Sequence, residues 1–302
     1  MSGGLAGRDA VISLLLPTRG RPAWVARLFD SLLRQTRRVD RLEIVLYIDD
    51  DDLPSHALDE PRLHVEKIIG PRLTMGGYNS ACLGRSSGDV VMLANDDIVA
   101  RTSEWDEKVR ALDRRYPDGI YLGYGNDLLQ GKNLCTFPIL SRRTCEILVE
   151  PFPRAYHASF IDYHLLDIFK RLQHAGHDRI CYLEDLVFEH MHYQAGKAEF
   201  DATYRKRSPF IDDPVFLALA AARAAAAEQL CNAIEGESVV PAAPVAAAPV
   251  APRSLPRALI EYGAVIFSDR GLPWGWRLFL YTWFVRRYLA SRLHHSAGPE
   301  AI

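Results

Sequence analysis

Ser-Gly-Asp-Val-Val-Met-Leu-Ala-Asn-Asp-Asp, residues 87–97, is the stretch that decides the architecture. Its centre, Val90–Ala94, is apolar at every position, and the run stops abruptly in Asn95-Asp96-Asp97. A continuous apolar run fits a strand buried on both faces, the condition of a parallel strand covered by helices. In an open α/β sheet, ligands sit beyond the carboxyl ends of the strands. The polar triplet therefore stands where a ligand would.

Toward the N-terminus, Gly76-Gly77 opens a helix around Asn79–Leu83, preceded by an apolar strand over Leu63–Ile69. Leu42–Ile48 is another such strand and runs into four acidic residues, Asp49 to Asp52. Before it, Pro22–Gln35 places Val25, Leu28, Phe29, Leu32 and Leu33 on one helical face. Residues 11–16 form a short β-rich run stopped by Pro17. Strands alternating with helices predict βαβ units, hence an α/β fold with a Rossmann-like, mainly parallel central sheet flanked by helices.

Downstream of Gly119 the pattern changes. Ile120–Tyr124 and Leu134–Leu140 read as strands, and Ser141–Val149 as a short helix capped by Ser141. Ile161–His174 is a stronger helix that turns Leu165, Leu166, Phe169 and Leu172 inward, and Ile180–Leu183 and Leu186–His192 close the domain as strands. Val215–Glu235 is an Ala-rich helix. Residues 236–257 hold five prolines among Ala and Val, the composition of an extended linker with few contacts across it. Residues 258–302 regain aromatic and basic content and predict a C-terminal helical appendage.

At 302 residues there is room for one large α/β domain and an appendage. Hydrophobic residues at 48% and charged residues at 25% can fill an ordinary core. The net charge of −2 gives no drive toward nucleic acid, and none is expected as a partner. Cys82, Cys135, Cys145, Cys181 and Cys231 never form a Cys-x-x-Cys pair, which argues against a zinc ribbon or a disulfide framework and for a reducing compartment. No leader-like stretch or bilayer-length apolar run is visible, so the expected location is cytoplasmic.

Three strands deliver polar groups to one edge: Pro17-Thr18-Arg19, Asp49-Asp50 and Asn95-Asp96-Asp97. A carboxylate there can accept from a ribose hydroxyl or a base N–H, and a carboxylate pair can hold a hard divalent cation that bridges phosphates. Asp51 and Asp52 suit a solvated turn. On a strand, His190 and His192 project to the same face, and neutral imidazole beside carboxylates ligates Mn2+-like ions. Two histidines that meet no metal are the other reading of that pair.

The order of Leu-Leu-Pro-Thr-Arg-Gly-Arg-Pro (15–22), Tyr-Ile-Asp-Asp (47–50), Gly-Gly-Tyr-Asn-Ser-Ala (76–81) and the 87–97 stretch resembles a family 2 glycosyltransferase of GT-A fold. The resemblance covers roughly residues 10–205 and makes 1–213 the catalytic, nucleotide-sugar-binding domain, followed by the Ala-rich helix at 214–235. It implies Pro17, Thr18 and Arg19 near the donor, Asp49 or Asp50 on the base or ribose, and Arg72, Gly77 and Asn79 near the diphosphate. Asn95-Asp96-Asp97 then matches the Asp-x-Asp element, with Asn in place of the first Asp, Asp97 as the direct metal ligand, and His190 or His192 completing the site. Asp162 matches the base that deprotonates the acceptor in an inverting transfer. At a helix N-terminus it equally suits a cap, and Glu184-Asp185 is the rival acid pair.

The expected activity is transfer of a sugar from a UDP- or GDP-linked donor to the hydroxyl of a glycan, lipid-linked or small-molecule acceptor, with Mn2+ or Mg2+ as cofactor. A sugar nucleotidyltransferase is the alternative within enzymes. A non-catalytic carbohydrate- or membrane-binding protein with a degenerate site, favoured by Asn95, is the alternative outside them. Trp and Arg residues over 274–293 suit peripheral membrane contact, although Arg277, Arg286, Arg287 and Arg292 scatter around the helix axis.

Overall fold

The computed structural model describes residues 9–193, 196–197, 209–239 and 252–296. The N-terminal apolar runs form β1 (Ile12–Thr18), β2 (Leu42–Asp49), β3 (His64–Gly70) and β4 (Val90–Leu93). β1 lies between β2 and β4, parallel to both, and β3 joins β2 in parallel. β2 and β4 are buried at every position, as their unbroken apolar sequences require. Register sets Thr18 beside Ile48 and Leu15 beside Leu93, so the chain leaves all three strands at one edge.

The helices cover this sheet on both faces. α1 (Pro22–Gln35) starts with proline in its first turn and buries Val25, Leu28, Phe29 and Leu32. It packs with alternate strand residues Leu14, Leu16, Ile44 and Leu46 on one side of the sheet. After a single short turn, α2 (Leu53–His56), comes α3 (Met75–Arg85), capped by Thr74, whose Oγ1 accepts from Gly77 N–H at 3.0 Å. Gly76 is glycine for a packing reason: a Cβ there would stand 1.9 Å from the Pro153 carbonyl oxygen.

The second half consists of β5 (Ile98–Ala100), α4 (Trp105–Arg115), β6 (Leu122–Asn126), β7 (Ile139–Ser141), α5 (Arg142–Leu148), α6 (Ile161–His174) and β8 (Ile180–His190). The sheet order is β3-β2-β1-β4-β7-β6-β8-β5. β7 runs antiparallel to β4 and β6, and β5 antiparallel to β8, so the mainly parallel half continues into a mixed one. Ser141 caps α5, accepting from Thr144 N–H at 2.9 Å. Of the strand expected over Leu134–Leu140, only its end is extended. β8 is one strand, not two, because Glu184-Asp185 falls at a register shift opposite Gly125 and Asn126 and does not form a turn. β5 and α4 have no counterpart in the sequence reading.

The C-terminal region departs most from expectation. The Ala-rich stretch is two helices, Asp213–Ala218 and Ala220–Glu235. The following helix starts at Leu255, inside the segment read as a linker to residue 257, whose residues 240–251 lie outside the described ones. Leu255–Ser268 and Trp274–Ser296 pair with each other and send Tyr262, Ile266, Leu280, Phe284 and Tyr288 into the core that also holds Phe160, Leu165 and Phe169. Asp167, fully buried on α6, ties the region together: it accepts from Arg171 Nε at 3.1 Å, Arg223 Nε at 2.7 Å and Trp276 Nε1 at 2.9 Å. Arg171 bonds onward to Asp269 at 2.6 Å, and Arg287 to Asp213 at 2.6 Å. The aromatic residues of the tail therefore build the domain, and the expectation of few crossing contacts does not hold.

Candidate active site

The ends of β1 and β2 and the loop after β4 carry side chains that tie this edge together. Asp49, at the end of β2, is fully buried and accepts from Arg19 Nη1 at 2.5 Å and from Tyr78 Oη at 2.6 Å. Arg19 also forks onto Asp51, with Nη2 to Oδ2 at 2.7 Å. Asp52 accepts from Gly20 N–H at 2.6 Å, so both residues read as turn formers are fasteners for the β1 loop. Asp50 is exposed beside them, and Pro17 sits one position before the end of β1. Arg72 is exposed, two residues beyond the end of β3.

Asp96 faces inward. Its carboxylate accepts from Thr18 Oγ1 at 2.9 Å and Arg21 Nη1 at 3.0 Å. Burial and the adjacent Asp97 push its pKa up to about 6, against the pull of Arg21 and Thr18. In this geometry Asp96 and Thr18 lock the β1 loop to the β4 loop, and Asn95 is the more accessible member of the triplet. Asn79 is likewise turned inward, donating to the Met75 carbonyl at 3.0 Å, and Gly77 supplies the capped N–H of α3.

Asp97 meets His190. Nε2 of His190 lies 3.4 Å from Asp97 Oδ2, and Nδ1 lies 3.8 Å from Asp127 Oδ2. Main-chain bonds fix the three segments: His190 N–H donates to the Asp127 carbonyl at 3.0 Å, and Met191 N–H to the Asp97 carbonyl at 2.7 Å. Asp127 Oδ1 accepts from the N–H groups of Leu129, Gln130 and Gly131, and Oδ2 from Thr136 Oγ1 at 3.0 Å. Burial works against the charged imidazolium, but Asp127 and Asp97 outweigh it and raise His190 to about 9. Asp127 is held well below the usual carboxylate range by His190 and those N–H groups, in spite of its burial. β8 ends at His190, so strand alternation does not extend to His192, whose ring centroid lies 5.0 Å from that of His190.

Among the described residues no group of three or more ligating side chains gathers as a metal cage. Asp97 and His190 offer a carboxylate and an imidazole side by side. That donor set fits a hard cation that keeps waters and takes its remaining ligands from substrate phosphates.

Asp162 is the second residue of α6, not its cap; the cap position is Phe160, in the left-handed region at φ 77° and without a side-chain cap bond. The Asp162 carboxylate accepts from Tyr163 N–H at 2.8 Å. Burial pushes its pKa up to about 6, against that N–H and the positive charge of His190, and Asp127 adds to the rise. Asp162 thus lies within electrostatic reach of the Asp97–His190–Asp127 group. The rival pair does not: Asp185 is exposed and bonded to Lys108 at 2.5 Å, five residues up β8 from His190, about 16 Å along an extended strand.

The sequence reading missed Arg21, Tyr78 and Asp127. Tyr78 stands within the Gly-Gly-Tyr-Asn motif, and Asp127 follows a strand as Asp49 and Asp97 do, so the strand-end signal was present for it. Arg21 carries no signal of its own, because its role appears only when β1 and β4 lie side by side.

The eight-stranded mixed sheet flanked by helices is that of a GT-A-type glycosyltransferase fold. The same fold occurs in S. aureus TarS, with 14% identity over 92% of this chain and 53% of that one, at a TM-score of 0.53. This chain spans about half the length of TarS. Also similar are the mannosyltransferase PcManGT from Pyrobaculum calidifontis, solved with GDP-Man and Mn2+ (14% identity, 95% and 88% coverage, TM-score 0.49), and glucosyl-3-phosphoglycerate synthase from Mycobacterium tuberculosis (17%, 75% and 78%, 0.42). No protein-family profile and no curated sequence matches the chain.

Proposed function

We propose that the chain is an inverting, divalent-cation-dependent glycosyltransferase that moves a sugar from a UDP- or GDP-linked donor to an acceptor hydroxyl. The observation that carries this reading is the meeting of Asp97 and His190 at the sheet edge, with the raised carboxyl of Asp162 in electrostatic reach. Asp49, Asp50, Arg19 and Arg72 would receive the nucleoside and its phosphates, and Asn95 the ribose. Asp97 and His190 would hold Mn2+ or Mg2+. A bound divalent cation supplies charge neutralisation to the departing diphosphate. Asp162 accepts the acceptor proton, for which a pKa near neutrality is suited. Asp127 keeps the His190 ring turned toward Asp97, the outer-shell role a carboxylate plays behind a ligating histidine. A cytoplasmic location completes the reading.

Calorimetric titration with UDP and GDP, with and without Mn2+, tests it on the full chain. Asp97→Ala should remove the Mn2+-dependent part of binding and the Mn2+-stimulated donor hydrolysis while the fold persists. Undiminished Mn2+-stimulated hydrolysis in a folded Asp97→Ala protein would refute the assignment.

A further inference from the structure

The scatter of arginines around Trp274–Ser296 resolves once their partners are seen. Arg277 turns back to donate to the Leu272 carbonyl at 2.7 Å. Arg287 is consumed by Asp213 and stacks over Phe160 and Trp283 at 5.0 Å from each ring. Arg292 donates to Tyr288 Oη at 2.8 Å and to the Arg253 carbonyl at 3.0 Å. With Arg277 and Arg287 half-buried beside Leu280, Phe284 and Tyr288, and Arg292 exposed but engaged by Tyr288 and Arg253, the opposite stripe of the helix is mainly apolar. Trp274 and Leu293 are 64% and 72% exposed, and Leu278 and Leu289 lie between them with Thr282 and Arg286. Ile260 on the neighbouring helix is 70% exposed as well.

We propose that this outer face docks on an anionic lipid surface. An apolar stripe with a Trp at one end and cationic side chains beside it matches the boundary between headgroups and acyl chains. Charge selects lipid over a second copy of the chain. Arg253, Arg257, Arg270 and Arg286 are exposed on the helical pair and make no ion pair among the described residues, whereas Glu261 is the exposed acid there. A two-fold contact through this face would bring together four such arginines and only one exposed acid, Glu261, from each copy, an unbalanced positive charge. Arg286, on the stripe itself, is placed to meet anionic headgroups. The face is also continuous with the helix that carries Asp162. Tyr163, next to Asp162, stacks on Trp283 at 4.3 Å, and Phe279 stacks on Trp283 at 6.0 Å and is itself 39% exposed. A bilayer seated here would bring lipid-borne hydroxyls to the side of the protein that holds Asp162.

Flotation of the full chain with vesicles tests the docking independently of sugar transfer. Binding is expected to vesicles of phosphatidylcholine mixed with phosphatidylglycerol, not to phosphatidylcholine alone, and to weaken with salt. Arg286→Gln should lower the partition coefficient about fivefold, the worth of one basic side chain near such a surface. Leu278→Glu combined with Leu289→Glu should abolish flotation while melting temperature and nucleotide affinity stay unchanged. Asp97→Ala should float like the parent, so failure of the catalytic assignment leaves this outcome intact. Equal binding to neutral vesicles, no binding to either, or a leucine double variant that turns a dimer into a monomer in lipid-free solution would each overturn the proposal.

Discussion

Replacing Asp162 by Asn separates chemistry from structure within one side chain. The carboxylate accepts from Tyr163 N–H at 2.8 Å, and an amide oxygen can accept the same bond. An amide cannot take a proton. A positioned base is worth about 10²–10⁴-fold, or about 2.7–5.4 kcal/mol of barrier. Stability moves the other way. Burial raises Asp162 from 3.8 to about 6 in the folded protein, so the folded state holds this proton more tightly than the unfolded chain. That contribution is complete below the unfolded value and is lost as pH rises through about 6. A displacement of about two pH units corresponds to about 3 kcal/mol. The Asn variant should therefore gain up to about 3 kcal/mol at mildly alkaline pH and almost nothing in acid, while its turnover collapses. In the parent, kcat/KM should fall with unit slope below about pH 6 as the base is protonated. Nucleotide release and thermal melting, followed across pH on one preparation, decide it. Turnover within a few-fold of the parent, or a lower melting temperature at neutral pH, would mean that Asp162 is a structural anion and not the base.

Asp127→Asn should weaken Mn2+ binding about 10–100-fold, read from the free-ion electron paramagnetic signal, and should lower the melting temperature at neutral pH but not in strong acid, because the ionised carboxylate beside His190 and the 129–131 N–H groups stabilises the fold above its unfolded pKa. A chain ended at residue 239 should keep nucleotide binding, which rests on the parallel half, but lose turnover together with the near-ultraviolet dichroism of the α6 region, since Trp276 and Phe284 leave its packing; turnover at the parent's level would show the tail to be dispensable. Gly76→Ala should cost about 1–3 kcal/mol in denaturant unfolding, because the new Cβ collides with the Pro153 carbonyl and neither side is a flexible side-chain end.

The parallel half was legible because its strands are buried on both faces, which leaves unbroken apolar runs in the sequence at β1, β2 and β4. α4 was not legible by the same eye: Trp105, Val109 and Leu112 keep helical spacing but are outnumbered by charged residues, and burial of Asp106 and Arg110 as a pair at 2.6 Å hides two further inward positions. The tail misled for a related reason. Prolines before Leu255 and arginines after Trp274 describe a solvated composition, yet Arg223, Arg277 and Arg287 point inward to acceptors that come from distant segments. Of the candidate site, the proximity of Asp97 and His190 was foreshadowed by their places at strand ends. The inward turn of Asp96 could not, because it depends on Thr18 and Arg21 arriving from β1.

Asp167 has a consequence for the order in which the protein can be made. Its partners Arg223 and Trp276 lie 56 and 109 residues further along the chain. At about 5–20 residues per second, a ribosome delivers the second of them about 5–20 s after α6 itself has been made. Until then the helix that carries Asp162 holds a carboxylate whose folded position is sealed from water and lacks its donors. The parallel half has no such debt to the C-terminus. A nascent or prematurely terminated chain should thus have a formed nucleotide edge without a settled α6, so that any ability to bind donor would precede the ability to use it.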